Sequence, residues 1–337
     1  MTYTEALRFL YSFTNYEAAA MTPRTDMRLA RMRRLLELAG NPQQRFRSVM
    51  VAGTKGKGST AAMLASIAQA AGLHTGLYST PHLNTHRERI RVDGELINRE
   101  AFVRLISSVQ GILPRLEDSP TTYELGTLLA FEHFADSGVQ LAVVEVGLGG
   151  RLDATNVLEA ELAIITSISY DHTEVLGSTL SAIAAEKAGI IKPGKPVIVP
   201  RQPAEAMSAI RRRADEMGSE VVQAAPVSGA ENVPPIVSTF SASAQRTQCF
   251  SFDSGRACIP LLGAHQLTNA SVAIAAARQL GFADEAIERG LDNVRWPGRL
   301  EIAREQPLMV LDGAHNVDSM DKLAAAVRRH FTWRRLR

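Results

Sequence analysis

The sequence predicts an α/β protein on a mostly parallel sheet flanked by helices. Short apolar runs alternate with stretches of helical periodicity, turn residues separate them, and one run leads through a glycine-rich loop into a helix. Apolar runs without polar alternation suit strands covered on both faces. They fall at 48–52, 75–79, 141–146, 162–167 and 196–199. Phe102, Leu105, Ile106, Val109 and Leu113 recur at helical spacing after Asn98, a capping residue. Residues 122–135 and 180–189 also read as helices, the second stopped by Gly189. Residues 219–260, rich in Val, Ser, Thr and Phe, read as an antiparallel appendage of short strands. Helical periodicity resumes at 264–280. Trp296-Pro297-Gly298-Arg299 then reads as a linker, followed by one strand (308–311) and one helix (317–330).

The chain has 337 residues, enough for two domains of ~150 residues. It is 45% hydrophobic and 21% charged, the balance of a globular protein. A net charge of +2 argues against a broad nucleic-acid surface. The two cysteines, Cys249 and Cys258, imply neither a disulfide framework nor a zinc site, and fit a reducing cytoplasm. No apolar run reaches the ~20 residues of a membrane span, and the N-terminus lacks a secretory pattern.

The glycine-rich loop is Gly53-Thr54-Lys55-Gly56-Lys57-Gly58-Ser59-Thr60. Strand, glycine turn and helix together cradle a polyphosphate. Glycines let backbone N–H groups approach phosphate oxygens, and the helix N-terminus adds about half a positive charge. Lys57 reaches the β- and γ-phosphates in this reading, and Ser59 or Thr60 faces a cation or caps the helix. The strict P-loop spacing is not met, because Val51 stands where its first glycine belongs. A plain βα turn with a surface lysine shares the pattern.

Other polar blocks follow predicted strands, where open α/β sheets bind ligands. Glu145 opens Glu145-Val146-Gly147-Leu148-Gly149-Gly150-Arg151-Leu152-Asp153, and its carboxylate suits magnesium. Asp171-His172-Thr173 offers a metal ligand or a hydrogen-bonded structural histidine. Lys187 lies at a helix end, where a cation complements the dipole. The hydroxyls of Ser79-Thr80-Pro81-His82 suit a magnesium shell or a helix cap. Asp312-Gly313-Ala314-His315-Asn316 and the block from Leu262 through Asn269 carry groups for a nucleotide, or for helix caps.

In combination and order these blocks resemble the folylpolyglutamate synthase/dihydrofolate synthase family, a branch of the Mur ligases. The similarity runs from Met1 to Asn316 and includes Leu38-Ala39-Gly40-Asn41-Pro42. It implies a Mur-type ATP-binding central domain over 1–295 and the start of a Rossmann-like glutamate ligase domain over 296–337. It also implies an ATP-dependent amide ligase that adds L-glutamate to the γ-carboxylate of a folate, and to dihydropteroate, through an acyl phosphate. By resemblance Gly53, Thr54, Gly56, Lys57, Gly58, Ser59 and Thr60 hold ATP with Asn269, Arg299 and Asp312. Thr80, Glu145 and His172 bind two magnesium ions. Lys57, Lys187 and His172 are catalytic, Lys187 matching a carbamylated lysine. Thr121, Thr122, Tyr123 and Glu124, with Arg151, Leu152 and Asp153, match substrate-contacting segments. The implied protein is a cytoplasmic monomer acting on small molecules, with no nucleic-acid or membrane partner.

Three positions depart from the family pattern. Lys55 stands where bacterial members often carry Asn, Thr80 replaces Ser, and the second domain stops after one strand and one helix. The last departure keeps open a nucleotide-binding but catalytically impaired chain. A peptidoglycan-precursor ligase is the other alternative, and the segment at Thr121–Glu124 argues against it.

Overall fold

The computed structural model describes residues 1–15, 29–228, 247–253, 255–331 and 333. Helices α1 (Tyr3–Leu10) and α2 (Leu29–Leu38) precede strand β1 (Arg47–Ala52), and α3 (Lys57–Ala70) follows. Next come β2 (Thr75–Tyr78), β3 (Ile90–Val92), β4 (Glu95–Leu96), α4 (Arg99–Ile112), α5 (Thr122–Asp136) and β5 (Leu141–Glu145). Then follow β6 (Leu162–Ile165), α6 (Thr173–Leu176), α7 (Leu180–Ala188), β7 (Val197–Val199), α8 (Ala204–Glu216) and β8 (Val221–Gln223). The remainder is β9 (Gln248–Phe252), β10 (Gly255–Ile259), α9 (Ala264–Gln279), α10 (Asp284–Asn293), β11 (Glu301–Glu305), β12 (Leu308–Leu311) and α11 (Val317–His330).

Eight strands form one sheet in the order β4-β3-β2-β5-β1-β6-β7-β8, parallel except for the β3–β4 edge hairpin. Successive side chains leave opposite faces of a strand, and the burial follows that rule. Met50, Ala52, Ala142, Val144, Ala163 and Ile165 enter the core beneath α4, α5 and α7. Val49, Val51, Leu141, Val143, Leu162 and Ile164 enter the opposite core, with α3, α9 and α10. Strand β1 lies between β5 and β6. The loops leaving the carboxyl ends of these three neighbours therefore share one edge, where such sheets place a ligand.

The predicted strands, and the helices at 122–135, 264–280 and 317–330, are present with small shifts at their ends. The appendage at 219–260 is different. Its first strand, β8, joins the main sheet parallel to β7, whereas β9 pairs with β10 in a separate hairpin and bridges to Ser228. Residues 229–246 and 254 of that stretch lie outside the described residues. In the β9–β10 hairpin Cys249 lies opposite Cys258, and the two form a disulfide. Cysteines nine residues apart are brought face to face by a tight hairpin, which the count of two did not reveal.

The C-terminal unit holds two strands, not one, because β11 pairs antiparallel with β12. Its charged sequence Glu301-Ile302-Ala303-Arg304-Glu305 gave no strand pattern. With α11 it forms a small core of Leu300, Ala326 and Phe331 that closes on Leu262 of the main body. The linker is packed: Leu83 lies against Gly298, and Arg91 lies over the Trp296 ring.

Candidate active site

The loop after β1 is shaped by close approach. Gly53 has φ +147°, and a Cβ there would stand 1.8 Å from Thr166 Oγ1. Gly56, at φ +87°, is the N-cap of α3. A Cβ on Gly58 would meet Trp296 at 2.8 Å and Glu145 Oε2 at 3.3 Å. Thr54 N and Lys55 N both donate to Ser167 O, which ties the loop to the chain leaving β6. Lys57 is the first residue of α3, where free N–H groups and the helix dipole favour an anion.

These loops border a cleft of about 720 Å³. Thr54, Gly56, Lys57, Gly58 and Ser59 line it, as do Thr80, Glu145 and His172. Asn269, Arg299 and Asp312 line it too, as do Thr121, Tyr123, Glu124, Leu152 and Asp153. Five of the residues singled out stand elsewhere. Gly53 supports the loop, and Thr60 is buried in α3. Thr122 bonds to the carbonyls of Leu10 and Phe13. Arg151 pairs with Glu186 at 3.1 Å, and Lys187 is buried next to it in the fold.

Glu145 ends β5, and its Oε2 accepts the Thr80 N–H at 3.1 Å. Burial raises its pKa above the ordinary carboxylate value, although the Lys57 charge pulls the other way. Lys187 has its pKa lowered to about 7, first by burial and then by the charge of Lys57. His172, at φ +48°, is held below its ordinary value by burial, with Asp171 opposing. Its imidazole is neutral near pH 7 and has a lone pair to offer. Burial alone would raise the pKa of Asp171, but the Lys55 ammonium 2.7 Å away outweighs it, and the net shift is downward.

Several substrate-segment residues are already engaged with protein. Asp153 accepts from the N–H groups of Gly147, Leu148 and Thr155 and from the Tyr123 hydroxyl. Thr121 and Glu124 form a capping box at the start of α5, and both Glu124 oxygens accept from Arg31 Nε at 3.0 Å. Asp312 receives Leu300 N and Ala314 N, and Arg299 bonds to Gly298 O. Arg31, His265, Gln266 and Lys322 also line the cleft. His265 and Gln266 fall in the block from Leu262 through Asn269 read from the sequence, whereas Arg31 and Lys322 sit inside ordinary helical stretches that mark neither.

A magnesium ion fits this donor set. Among the described residues no group of three His, Cys, Asp or Glu side chains could cage a metal. Magnesium characteristically takes one or two carboxylates and completes its shell with phosphate and water. A single buried carboxylate beside an anion-binding loop meets that need.

Fold and site together define a protein of the Mur ligase superfamily, and residues 51–277 match the Mur ligase middle domain. The chain is 38% identical over 319 residues to the dihydrofolate synthase/folylpolyglutamate synthase of Bacillus subtilis, covering 90% of this chain and 72% of that one. It is 34% identical over 352 residues to the folylpolyglutamate synthase of Lacticaseibacillus casei, covering 98% of this chain and 78% of that one. A solved FPGS–AMPPCP–folate complex superposes with a TM-score of 0.87 at 33% identity, over 99% of this chain and 82% of that one. The chain belongs to the folylpolyglutamate synthase/dihydrofolate synthase family. Among the described residues no helix is long and apolar enough to cross a membrane.

Proposed function

We propose that the chain is an ATP-dependent amide ligase that joins the amine of L-glutamate to the γ-carboxylate of a folate, and to dihydropteroate. The observation that carries this reading is the convergence of Lys57, Glu145, His172 and Arg299 on one cleft at the carboxyl edge of β1, β5 and β6. The similar structure with AMPPCP and folate supports a nucleotide and a pterin substrate in that cleft. The names of the relatives favour a folate over a peptidoglycan precursor.

A carboxylate is a poor electrophile, so it is first phosphorylated. An oxygen of the γ-carboxylate attacks the γ-phosphorus of ATP, and ADP leaves. The glutamate amine then adds to the acyl carbon, loses a proton, and inorganic phosphate departs as the amide forms. Such transfers need positioning and charge neutralisation more than covalent help. The loop Gly53–Thr60 and Lys57 hold the phosphates, with Asn269, Arg299 and Asp312 toward the nucleoside. Glu145, Thr80 and His172 would hold magnesium, which offsets phosphate charge. The segments at Thr121–Glu124 and Arg151–Asp153 shape the pterin end.

Lys187 is buried, and with its pKa lowered to about 7 a large share of its amine is neutral near that pH. A neutral amine adds to carbon dioxide, forming an N–C bond and releasing a proton, and the resulting carbamate is an anion within the electrostatic reach of Lys57 and His172. That chemistry suits the carbamylated lysine implied by resemblance. The same reading makes residues 1–295 the nucleotide-binding domain and 296–337 a second unit. It places the protein in the cytoplasm as a monomer.

The test is glutamate-dependent phosphate release by the purified chain. Release with dihydropteroate or a folate as acceptor is expected. Release only with a UDP-muramyl acceptor, or none despite bound ATP, would overturn the reading.

A further inference from the structure

The phosphate loop carries a second lysine whose partner lies outside the loop. Lys55 Nζ sits 2.7 Å from Asp171 Oδ2, and both side chains are largely shielded from solvent, at 17% and 24% exposure. The same Oδ2 lies 3.4 Å from the side-chain nitrogen of Asn316. Asn316 is the N-cap of α11, its Oδ1 accepting the Ser319 N–H. One carboxylate oxygen therefore joins the phosphate loop to the first turn of the C-terminal helix. The segment leading to Asp171 cannot drift from the loop, because Ser167 O takes two loop N–H groups and Thr54 Oγ1 donates to Ser169 O. The Asn316 contact is long for a hydrogen bond. That length is expected where a nearer ammonium already occupies the oxygen.

We propose that Asp171 is a positioning residue that, through Lys55, couples occupancy of the phosphate loop to the seating of α11. The proposal rests on the triphosphate reading of the loop. A phosphate chain carries more negative charge than one carboxylate and binds on the same loop, so it draws the Lys55 ammonium away from Asp171. Asp171 Oδ2 is then left to Asn316, whose contact shortens and pins the first turn of α11. While the ammonium holds the carboxylate, the first turn of α11 is tied to Asp171 only through the long Asn316 contact, the rest of the helix being held by its apolar face. Lys55 thus acts as a sensor of the anion that Lys57 binds.

Amide hydrogen exchange of α11 in the full chain reads this coupling, with AMPPCP as the probe. In the unsubstituted protein AMPPCP should slow exchange in the first turns of α11 by roughly twofold to tenfold, the range that one net hydrogen bond controls. Lys55→Met removes the competing ammonium, so α11 should exchange slowly even without AMPPCP and change little when it is added. Asn316→Asp keeps the helix cap but replaces the donor with a carboxylate. Exchange there should be fast in both states. Lys55→Arg should restore the nucleotide response. Thermal unfolding of each variant separates these effects from global loss of structure.

The proposal is overturned if Lys55→Met and the unsubstituted protein exchange alike without AMPPCP while both stay folded. That arm contains no nucleotide. Failure of AMPPCP to bind at all would instead sink the ligase reading and leave this arm readable.

Discussion

Gly56 lies so close to Asn269 that a Cβ on the glycine would stand 2.2 Å from the amide oxygen Oδ1. The helix α9 therefore sets the depth of the phosphate loop. Asn269 Nδ2 is turned to Gln266 at 2.9 Å, and its oxygen faces the loop. Gly56→Ala meets two obstacles, the amide and a left-handed backbone at φ +87°. We expect a stability loss of roughly 1–3 kcal/mol and weaker ATP binding. Adding Asn269→Ala should recover the steric part and leave the backbone part. A double-mutant cycle by thermal unfolding measures the split, and strictly additive losses would show that the contact is not felt.

Glu145 is held by one backbone N–H, that of Thr80, within a buried site. Glu145→Gln keeps an acceptor for that bond and removes a charge whose burial is unfavourable. Stability should be unchanged or higher, while magnesium-dependent ligase activity falls by roughly 10- to 100-fold or more. Unfolding curves and phosphate release on one preparation separate the two effects.

The central sheet was legible because its strands are buried on both faces and so read as unbroken apolar runs. Much of what shapes the cleft was not, because it depends on residues far apart in the chain. Lys55 and Asp171 are 116 positions apart, and Arg31 and Glu124 are 93. No periodicity reports such pairs. Gly189 makes the same point. It was expected to stop α7 and does stand at its C-cap, yet its φ is −60°, so no left-handed turn requires a glycine there. It is small because Arg151 crowds it, a Cβ there falling 2.4 Å from that residue's Cβ. The edge hairpin β3–β4 was missed because strands at a sheet edge carry polar residues such as Arg91 and Glu95.

Asp153 shows a carboxylate whose accepting capacity is largely used by its own loop. Tyr123 donates its hydroxyl to Asp153 at 3.1 Å and accepts Gly147 N at 3.0 Å. Tyr123→Phe removes one donor to Asp153 while Gly147 N keeps the bond to the carboxylate. Its cost should be near 1 kcal/mol. Asp153→Ala strands the N–H groups of Leu148 and Thr155 and the Tyr123 hydroxyl together, while Gly147 N keeps its bond to Tyr123, and should cost several times more. If Asp153→Ala lowered only substrate affinity and left thermal stability intact, Asp153 would be a substrate ligand and not a loop anchor.

Lys187 gives the pH dependence a definite sign. Its pKa falls from 10.5 in the unfolded chain to about 7 when buried. Between those values the unfolded chain binds a proton that the folded chain does not, so stability rises with pH across that window. The cost is full below about 7 and vanishes near 10.5. In buffer free of carbon dioxide, Lys187→Met should exceed the unsubstituted protein in stability by several kcal/mol at pH 6, on the order of 4. The gap should close as the pH is raised toward 10. Bicarbonate at pH 8 should add one carbon dioxide to the native mass of the unsubstituted protein, stabilise it, and do neither for Lys187→Met. A gap that stays constant with pH would mean that Lys187 keeps its proton in the fold, and the carbamate would lose its chemical basis.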